Sequence, residues 1–183
     1  GDTVVVFAQG PIGLCATAGA RLLGATTIIA VDGNDHRLGI AQKMGADVTL
    51  NFKNCDVIDE IMKITGGRGA DSAIEALGTQ ATFESALRSI KPGGTLSSLG
   101  VYSEDLKIPL SAFAAGLGDH KINTALCPGG KERMRRLMNV LASNRLDLGL
   151  LVTHQYKLDD IVAAYDLFAH QRDGVLKVAI KPQ

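Results

Sequence analysis

The sequence predicts an α/β protein with a doubly wound, six-stranded parallel sheet in the order 3-2-1-4-5-6, the Rossmann fold. Two observations predict it. Short apolar segments alternate with longer segments of helical character, and glycine or proline stops separate them, at Gly24, Gly45, 66–67 and 92–94. Because crossovers between parallel strands are right-handed, this alternation leads to the strand order given, with helices on both faces of the sheet.

Each element follows from these signals in order along the chain. We predict strands at residues 3–7, 27–31, 47–50, 71–76, 95–101 and 121–126. Helices are predicted between them at 11–23, 35–44, 57–65 and 81–90, the first opened by Pro11, whose fixed φ suits a first helical position. The carboxyl ends of these strands then face one crevice, where ligands bind in open α/β sheets.

The remaining segments are less regular. Residues 107–110 are predicted to be extended, and Ser111 to cap a short helix through Leu117. An amphipathic helix is predicted at 130–144, its basic residues forming either a solvated face or a binding patch. In the tail, strands at 153–156 and 176–180 enclose a helix at 158–171. Six strands already complete the first sheet, so we expect these two to need another sheet, one missing from this chain.

The turn after the first strand carries the strongest binding signal. Ala8-Gln9-Gly10-Pro11-Ile12-Gly13 matches G-x-G-x-x-G except for alanine in the first glycine position. Gly10 lets the backbone approach a pyrophosphate, and the helix that follows directs unpaired N–H groups at the anion. Gly13 allows the helix to pack closely on the sheet. Asp32, at the end of the second strand, is placed to accept hydrogen bonds from an adenosine ribose.

This pattern predicts nucleotide binding, and two alternatives stay open. One is a sheet of the same kind that uses its glycines only for tight turns. The other is a methyltransferase with the same strand, glycine turn and acidic residue. A short-chain dehydrogenase is excluded because it needs Tyr-x-x-x-Lys, and none of the three tyrosines has a lysine four residues later.

Composition argues against several other classes. Nineteen basic and nineteen acidic residues give a net charge of zero, so we expect neither a nucleic-acid partner nor a membrane surface partner. The apolar runs are too short to span a membrane, and we expect no secretory segment at the start of the chain. Cys15, Cys55 and Cys127 contain no C-x-x-C pair, which favours a reducing, cytoplasmic setting. The four histidines are scattered without ligand spacing, so no metal site is predicted in this chain.

Several further motifs give the chain a family resemblance. It resembles the zinc-dependent medium-chain alcohol dehydrogenases, and among them the bacterial secondary alcohol dehydrogenases most. The resemblance covers nearly the whole chain and rests on Val31-Asp32 with Arg37-Leu38, Glu75-Ala76-Leu77-Gly78, Lys91-Pro92-Gly93-Gly94, Leu99-Gly100-Val101, Leu126-Cys127-Pro128-Gly129-Gly130 and Gly174-Val175-Leu176-Lys177-Val178.

The resemblance implies cofactor-binding roles and no catalytic residue in this chain. Its cofactor-binding set comprises Gly10, Pro11, Ile12 and Gly13 at the pyrophosphate, Asp32 with Arg37 at the adenosine ribose, Asn34 near the adenine, Ala76 and Leu77 at the nicotinamide ribose, Leu99, Gly100, Val101 and Leu126 at the carboxamide, and Lys177 approaching the pyrophosphate from the tail. Two structural alternatives stay open: Arg37 as a solvent-facing helix residue and Lys177 as an ordinary strand-edge lysine.

Asp32 also bears on the choice of cofactor. A carboxylate repels a 2′-phosphate, so NAD is favoured over NADP, although Arg37 nearby could accept that phosphate. The resemblance places the zinc in a separate catalytic domain, so residues 1–144 would be the dinucleotide-binding domain and 145–183 a tail that packs on the absent domain. We expect the chain to bind NAD without oxidising an alcohol.

The resemblance further implies an assembly and a substrate class. The edge strand 121–126 would pair with a second copy, giving a homodimer or homotetramer. The intact enzyme would act on a small alcohol or carbonyl compound. A stand-alone NAD-binding regulatory module is the alternative function.

Overall fold

The computed structural model describes residues 1–182 and confirms the predicted α/β fold. Its first sheet is parallel throughout, with the order β3-β2-β1-β4-β5-β6. The strands are β1 (Thr3–Phe7), β2 (Thr27–Asp32), β3 (Val48–Asn51), β4 (Ala70–Glu75), β5 (Ile90–Ser98) and β6 (Lys121–Thr124). The helices between them are α1 (Pro11–Leu22), α2 (Asp35–Lys43), α3 (Val57–Ile64) and α4 (Gln80–Ser89).

The centre of this sheet is buried on both faces. All residues of β1 from Val4 to Phe7, and of β2 from Ile28 to Asp32, are buried. Such continuous apolar runs are typical of central strands in a parallel sheet, because helices cover both faces. On one face of the sheet, the side chains of α4, chiefly Phe83 and Leu87, pack in one hydrophobic core with alternate residues of β1 and β2. The buried strands therefore hold the turns at their carboxyl ends in fixed positions.

Three strands end earlier than predicted: β4 by one residue, at Glu75, and β5 and β6 by more. β5 ends at Ser98 and β6 at Thr124, so residues 99–101 and 125–126 follow the strands instead of belonging to them. The backbone of Gly100 passes so close to Gly78 that a β-carbon at position 100 would clash with the Gly78 amide nitrogen and Cα. The two loops contact each other here, and the chain leaves the sheet to allow it.

The prediction of a short helix beginning at Ser111 is wrong. Residues 110–113 form turns, and a single 3₁₀ turn follows at Ala114–Gly116. Ala114 and Ala115 have φ values of 50° and 53°, which an α-helix cannot contain. The Ser111 hydroxyl accepts a hydrogen bond from the Arg88 guanidinium at 2.9 Å, whereas a helix cap would accept from backbone N–H groups.

The chain divides into two compact units, the first over Gly1–Pro128 and the second beginning at Gly129. The second contains α5 (Lys131–Ala142), β7 (Val152–Lys157), α6 (Ile161–Ala169) and β8 (Lys177–Lys181). Its strands pair with each other in a two-stranded parallel sheet, so they have a partner within the tail that the sequence analysis did not foresee. Helix α5 belongs to this unit by its contacts, whereas the predicted domain boundary followed residue 144.

Across residues 1–182, none of the helices is both long enough and apolar enough to cross a membrane.

Candidate cofactor-binding site

The turn after β1 keeps the shape of a glycine turn although it begins with alanine. Ala8 has a φ of 70°, in the left-handed region that a side chain disfavours by roughly 1–2 kcal/mol. Its backbone N–H donates to the carbonyl oxygen of Val31 at 2.9 Å, which holds the strained residue in place. The substitution in the motif therefore costs conformational energy and leaves the course of the turn unchanged.

The two glycines of the turn have opposite surroundings. No atom lies within 4 Å of the position that a β-carbon at Gly10 would take. At Gly13 a β-carbon would clash with the carbonyl oxygen of Ala8, because the helix begins directly over the end of β1. Gly13 thus permits the packing of helix on strand, and Gly10 leaves open space in front of the helix.

The start of α1 has the features of an anion site. Gly10 is the N-cap, no side chain caps the helix, and its first turn contains no acidic residue. The first N–H groups of an α-helix have no partner within the helix, and the helix dipole adds positive potential there. A phosphate group in the space above Gly10 would therefore receive these N–H groups as hydrogen-bond donors.

Asp32 is held rigidly at the end of β2. It is only 8% exposed, and its two carboxylate oxygens accept hydrogen bonds from the backbone N–H groups of Gln9 at 2.6 Å and Asn34 at 2.9 Å. Gln9 is fully buried, donating to Val6 and accepting from the Thr17 hydroxyl, both at 2.9 Å. The carboxylate is thus tied to the glycine turn, and each oxygen keeps a lone pair for a further donor such as a sugar hydroxyl.

Two predicted neighbours of Asp32 have structural roles of their own. The Asn34 side chain caps α2, accepting hydrogen bonds from the N–H groups of His36 at 2.9 Å and Arg37 at 3.3 Å. Arg37 lies on the first turn of α2 and is half-buried. The predicted contacts of Asn34 and Arg37 with adenine and ribose stay predictions.

Glu75 is the centre of a buried network that the sequence analysis missed. This side chain is fully buried at the end of β4, next to β1. One carboxylate oxygen accepts hydrogen bonds from Leu77 N–H and Gly78 N–H, both at 2.8 Å, and from the Thr82 hydroxyl at 2.7 Å. The other accepts from the Tyr102 hydroxyl at 2.7 Å. Glu75 therefore joins the loops after β4 and β5 to the first turn of α4.

The hydrogen bonds of this network decide the charge of Glu75. Burial alone would raise the pKa of its carboxyl, but the donors from Gly78, Tyr102, Thr82 and Leu77 outweigh burial and hold the pKa below its usual value. Burial raises the pKa of Tyr102 to about 12, with the neighbouring carboxylate acting in the same direction. Glu75 is thus an anion and Tyr102 a neutral donor at neutral pH.

The remaining predicted residues follow the strands in sheet order. They lie at the carboxyl ends of four strands that are consecutive in the sheet. In sheet order these are Asp32 at β2, the glycine turn at β1, Ala76 with Leu77 at β4, and residues 99–101 at β5. Leu126 follows β6. Four large apolar side chains along this edge are exposed: Ile12, Leu77, Val101 and Leu126. Lys177 is an exposed residue at the start of β8, in the second unit, and its contact with a pyrophosphate stays a prediction.

No metal centre is formed by the part of the chain that the structure describes. Within residues 1–182, no group of three or more His, Cys, Asp or Glu side chains is arranged to hold a metal ion. These residues therefore do not fit a zinc ion, whereas the open space at Gly10, the uncapped helix start and Asp32 do fit a dinucleotide.

Gln9 and Glu75 could have been found from their positions in the sequence. Gln9 occupies a variable position of the glycine motif, and Glu75 is a charge near the end of the predicted strand 71–76, which is central in the predicted sheet. A charged residue in that position needs hydrogen-bond donors nearby. The pattern does not reveal which donors these are, since Tyr102 comes from a distant segment.

Comparisons with known proteins agree with this geometry. The sequence profile of a family described as zinc-binding dehydrogenase matches residues 11–143. An alcohol dehydrogenase of Cupriavidus necator is 85% identical over 182 residues, all of this chain and 50% of that protein. An NADP-dependent isopropanol dehydrogenase of Entamoeba histolytica is 35% identical, over 99% of this chain and 50% of that protein.

A solved structure extends the similarity to the fold. The zinc-dependent alcohol dehydrogenase 2 of Streptococcus pneumonia, in its apo form, has a TM-score of 0.92 and 32% identity, over 100% of this chain and 52% of that one. The chain thus spans about half the length of the curated relatives and of the solved structure that it matches.

Proposed function

This chain belongs to the zinc-binding dehydrogenase family, and we propose that it is the part of an NAD-dependent alcohol dehydrogenase that binds and orients the cofactor. The main support is the open, uncapped start of α1 one strand away from the buried carboxylate of Asp32. The two sites are linked by the hydrogen bond from Gln9 to Asp32, so they are held at a fixed separation.

Each part of the crevice has a task in this proposal. The first turn of α1 binds the pyrophosphate through N–H groups, and Asp32 accepts hydrogen bonds from the adenosine ribose. The loops after β4 and β5, tied together by Glu75, form the surface for the nicotinamide half. When bound, the nicotinamide supplies the chemistry of hydride transfer. The protein supplies position and electrostatics.

The charge of the site supports NAD as the cofactor. A 2′-phosphate on the ribose would approach the Asp32 carboxylate, whose remaining lone pairs suit hydroxyl donors and repel an anion. Several relatives are named as NADP-dependent, which makes NADP the competing cofactor. Arg37, half-buried and near this carboxylate in sequence, is the residue that could favour NADP.

Calorimetry of this chain with NAD and NADP tests the proposal. We expect NAD to bind at least about tenfold more tightly, equivalent to roughly 1.4 kcal/mol. Asp32→Asn should weaken NAD binding and reduce the difference in affinity between NAD and NADP, because it removes the negative charge and keeps the size of the side chain. The control is Asp35→Asn, which makes the same change on an exposed side chain three residues later. It should leave the affinities for NAD and NADP unchanged. Equal or tighter NADP binding by the unaltered chain would contradict the choice of NAD.

The reaction itself is proposed for the intact enzyme. Its substrates would be small alcohols or the corresponding carbonyl compounds, and this chain alone would bind NAD without turning them over. Sustained oxidation of an alcohol by this polypeptide, stimulated by added zinc, would contradict that expectation. A cytoplasmic location stays a prediction from the cysteine pattern.

A further inference from the structure

An aromatic side chain lies beside Asp32 at the edge of the crevice. Phe52 follows β3 directly, and its backbone N–H donates to the carbonyl oxygen of Asp32 at 3.3 Å. In spite of its size, its side chain is 57% exposed. More than half of this side chain therefore stays accessible to a ligand at the carboxyl edge of the sheet, where ligands bind in folds of this kind.

The ring occupies space that a side chain at position 33 would otherwise take. A β-carbon at Gly33 would lie 2.9 and 3.0 Å from Cε1 and Cε2 of Phe52, and closer still to Cζ. Gly33 has no positive φ, so its backbone does not require glycine. The missing side chain therefore serves to admit the Phe52 ring next to Asp32.

We propose that Phe52 provides the surface on which the adenine ring of the dinucleotide stacks, an inference that rests on the proposed cofactor function. The pyrophosphate site is at β1 and the ribose carboxylate at β2, so the nucleotide runs along the sheet towards β3. The base is one glycosidic bond beyond the ribose. Phe52 directly follows β3 and is an exposed aromatic side chain in that direction. Base stacking on an aromatic ring is a common mode of nucleotide binding.

Removal of the ring tests the inference directly. Phe52→Ala should weaken binding of ADP-ribose and NAD to the full chain by roughly 5- to 150-fold, the effect typical of losing one base stack on an aromatic side chain. Phe52→Leu keeps an apolar side chain without the aromatic face. Its affinity for ADP-ribose should lie between that of the unaltered chain and that of Phe52→Ala. Leu23→Ala removes an apolar side chain that is 91% exposed, at the other end of α1 and hence at the amino ends of the strands. This control should bind as the unaltered chain does.

Gly33→Ala gives a second, independent variant. Its methyl group would displace the tip of the Phe52 ring, which can rotate away at little cost to stability. Binding of ADP-ribose should weaken, whereas in the double variant with Phe52→Ala the alanine at 33 should cause little further loss. Such non-additivity is expected of residues that act through one contact.

A fluorescence measurement shows where the base binds. The chain contains no tryptophan, so Phe52→Trp introduces a single indole at this position. Titration with AMP should quench its emission with saturation, whereas Leu23→Trp should not respond. If the unaltered chain binds ADP-ribose and both Phe52→Ala and Gly33→Ala bind it equally well, the stacking role is wrong and the cofactor function stands. If the unaltered chain binds neither NAD nor ADP-ribose, the proposed function itself fails.

Discussion

Two glycines of one turn, three residues apart, are required for different reasons. Gly13 is fixed by packing, because any side chain there meets the carbonyl oxygen of Ala8. Gly10 has an ordinary extended backbone, with φ of −72°, and free space around it. The protein alone would tolerate a side chain at Gly10, so glycine at this position points to a ligand.

This difference gives a paired prediction at the residue scale. Gly10→Ala should change the free energy of unfolding by less than about 1 kcal/mol, yet weaken NAD binding tenfold or more, because its methyl group takes the place of a phosphate oxygen. Gly13→Ala should destabilise the fold by roughly 1–3 kcal/mol through overpacking. Urea denaturation and calorimetry measure the two quantities. Equal destabilisation by both substitutions would contradict the separation of roles.

At the scale of elements, Glu75 connects parts of the first unit that are distant in sequence. Its carboxylate ends β4 and accepts hydrogen bonds from the following loop, from α4 and from Tyr102 after β5. A single buried anion thereby fixes the two loops that we assign to the nicotinamide half. The network is fully within the protein, so its contribution is measurable without any cofactor.

Replacement of Glu75 should therefore lower stability in a pH-dependent way. At pH 7, Glu75→Gln should reduce the free energy of unfolding by roughly 2–3 kcal/mol, since an amide accepts these hydrogen bonds less well than a carboxylate. The folded-state pKa is lowered, so the carboxylate stabilises the protein fully above the unfolded value of about 4.3 and loses this effect as the pH falls through the folded value. The difference in the free energy of unfolding between the unaltered chain and Glu75→Gln should therefore become smaller as the pH falls.

Urea denaturation at several pH values between neutral and about pH 3 measures this difference. Glu84→Gln is a matched control on α4, since Glu84 forms a partly exposed ion pair with Arg88 outside the network of Glu75. Glu84→Gln should lower the free energy of unfolding by less than about 1 kcal/mol. A stability difference for Glu75→Gln that is independent of pH would show that its charge has no role.

At the scale of the whole molecule, β6 is the feature that bears on assembly. It is the last strand of the sheet and has one neighbour, β5. An edge strand presents unpaired backbone groups to which another strand can add. We expect the chain to form at least a dimer through this edge at micromolar concentration. Sedimentation velocity measures the mass directly, and a monomer of 19.2 kDa throughout the concentration range would contradict the expectation.

Much of the fold was predictable because its signals are local. Apolar runs, glycine stops and a proline at the start of a helix lie within a few residues of one another, and the handedness of crossovers then leads to the strand order. The glycine turn and Asp32 were predictable for the same reason. The helix at Ser111 was predicted wrongly because its hydroxyl is engaged by Arg88, which lies 23 residues earlier in the chain.

The order of elements and the position of the crevice are thus properties of the amino-acid sequence alone, since periodicity and turn residues specify them. Contacts between distant segments decided the rest. Tertiary packing brought Tyr102 to Glu75, turned the chain out of β5 where Gly100 meets Gly78, and placed the ring of Phe52 in the space beside Gly33. Local patterns cannot specify such contacts, because each depends on the shape and hydrogen-bonding needs of a partner that only the folded chain brings near.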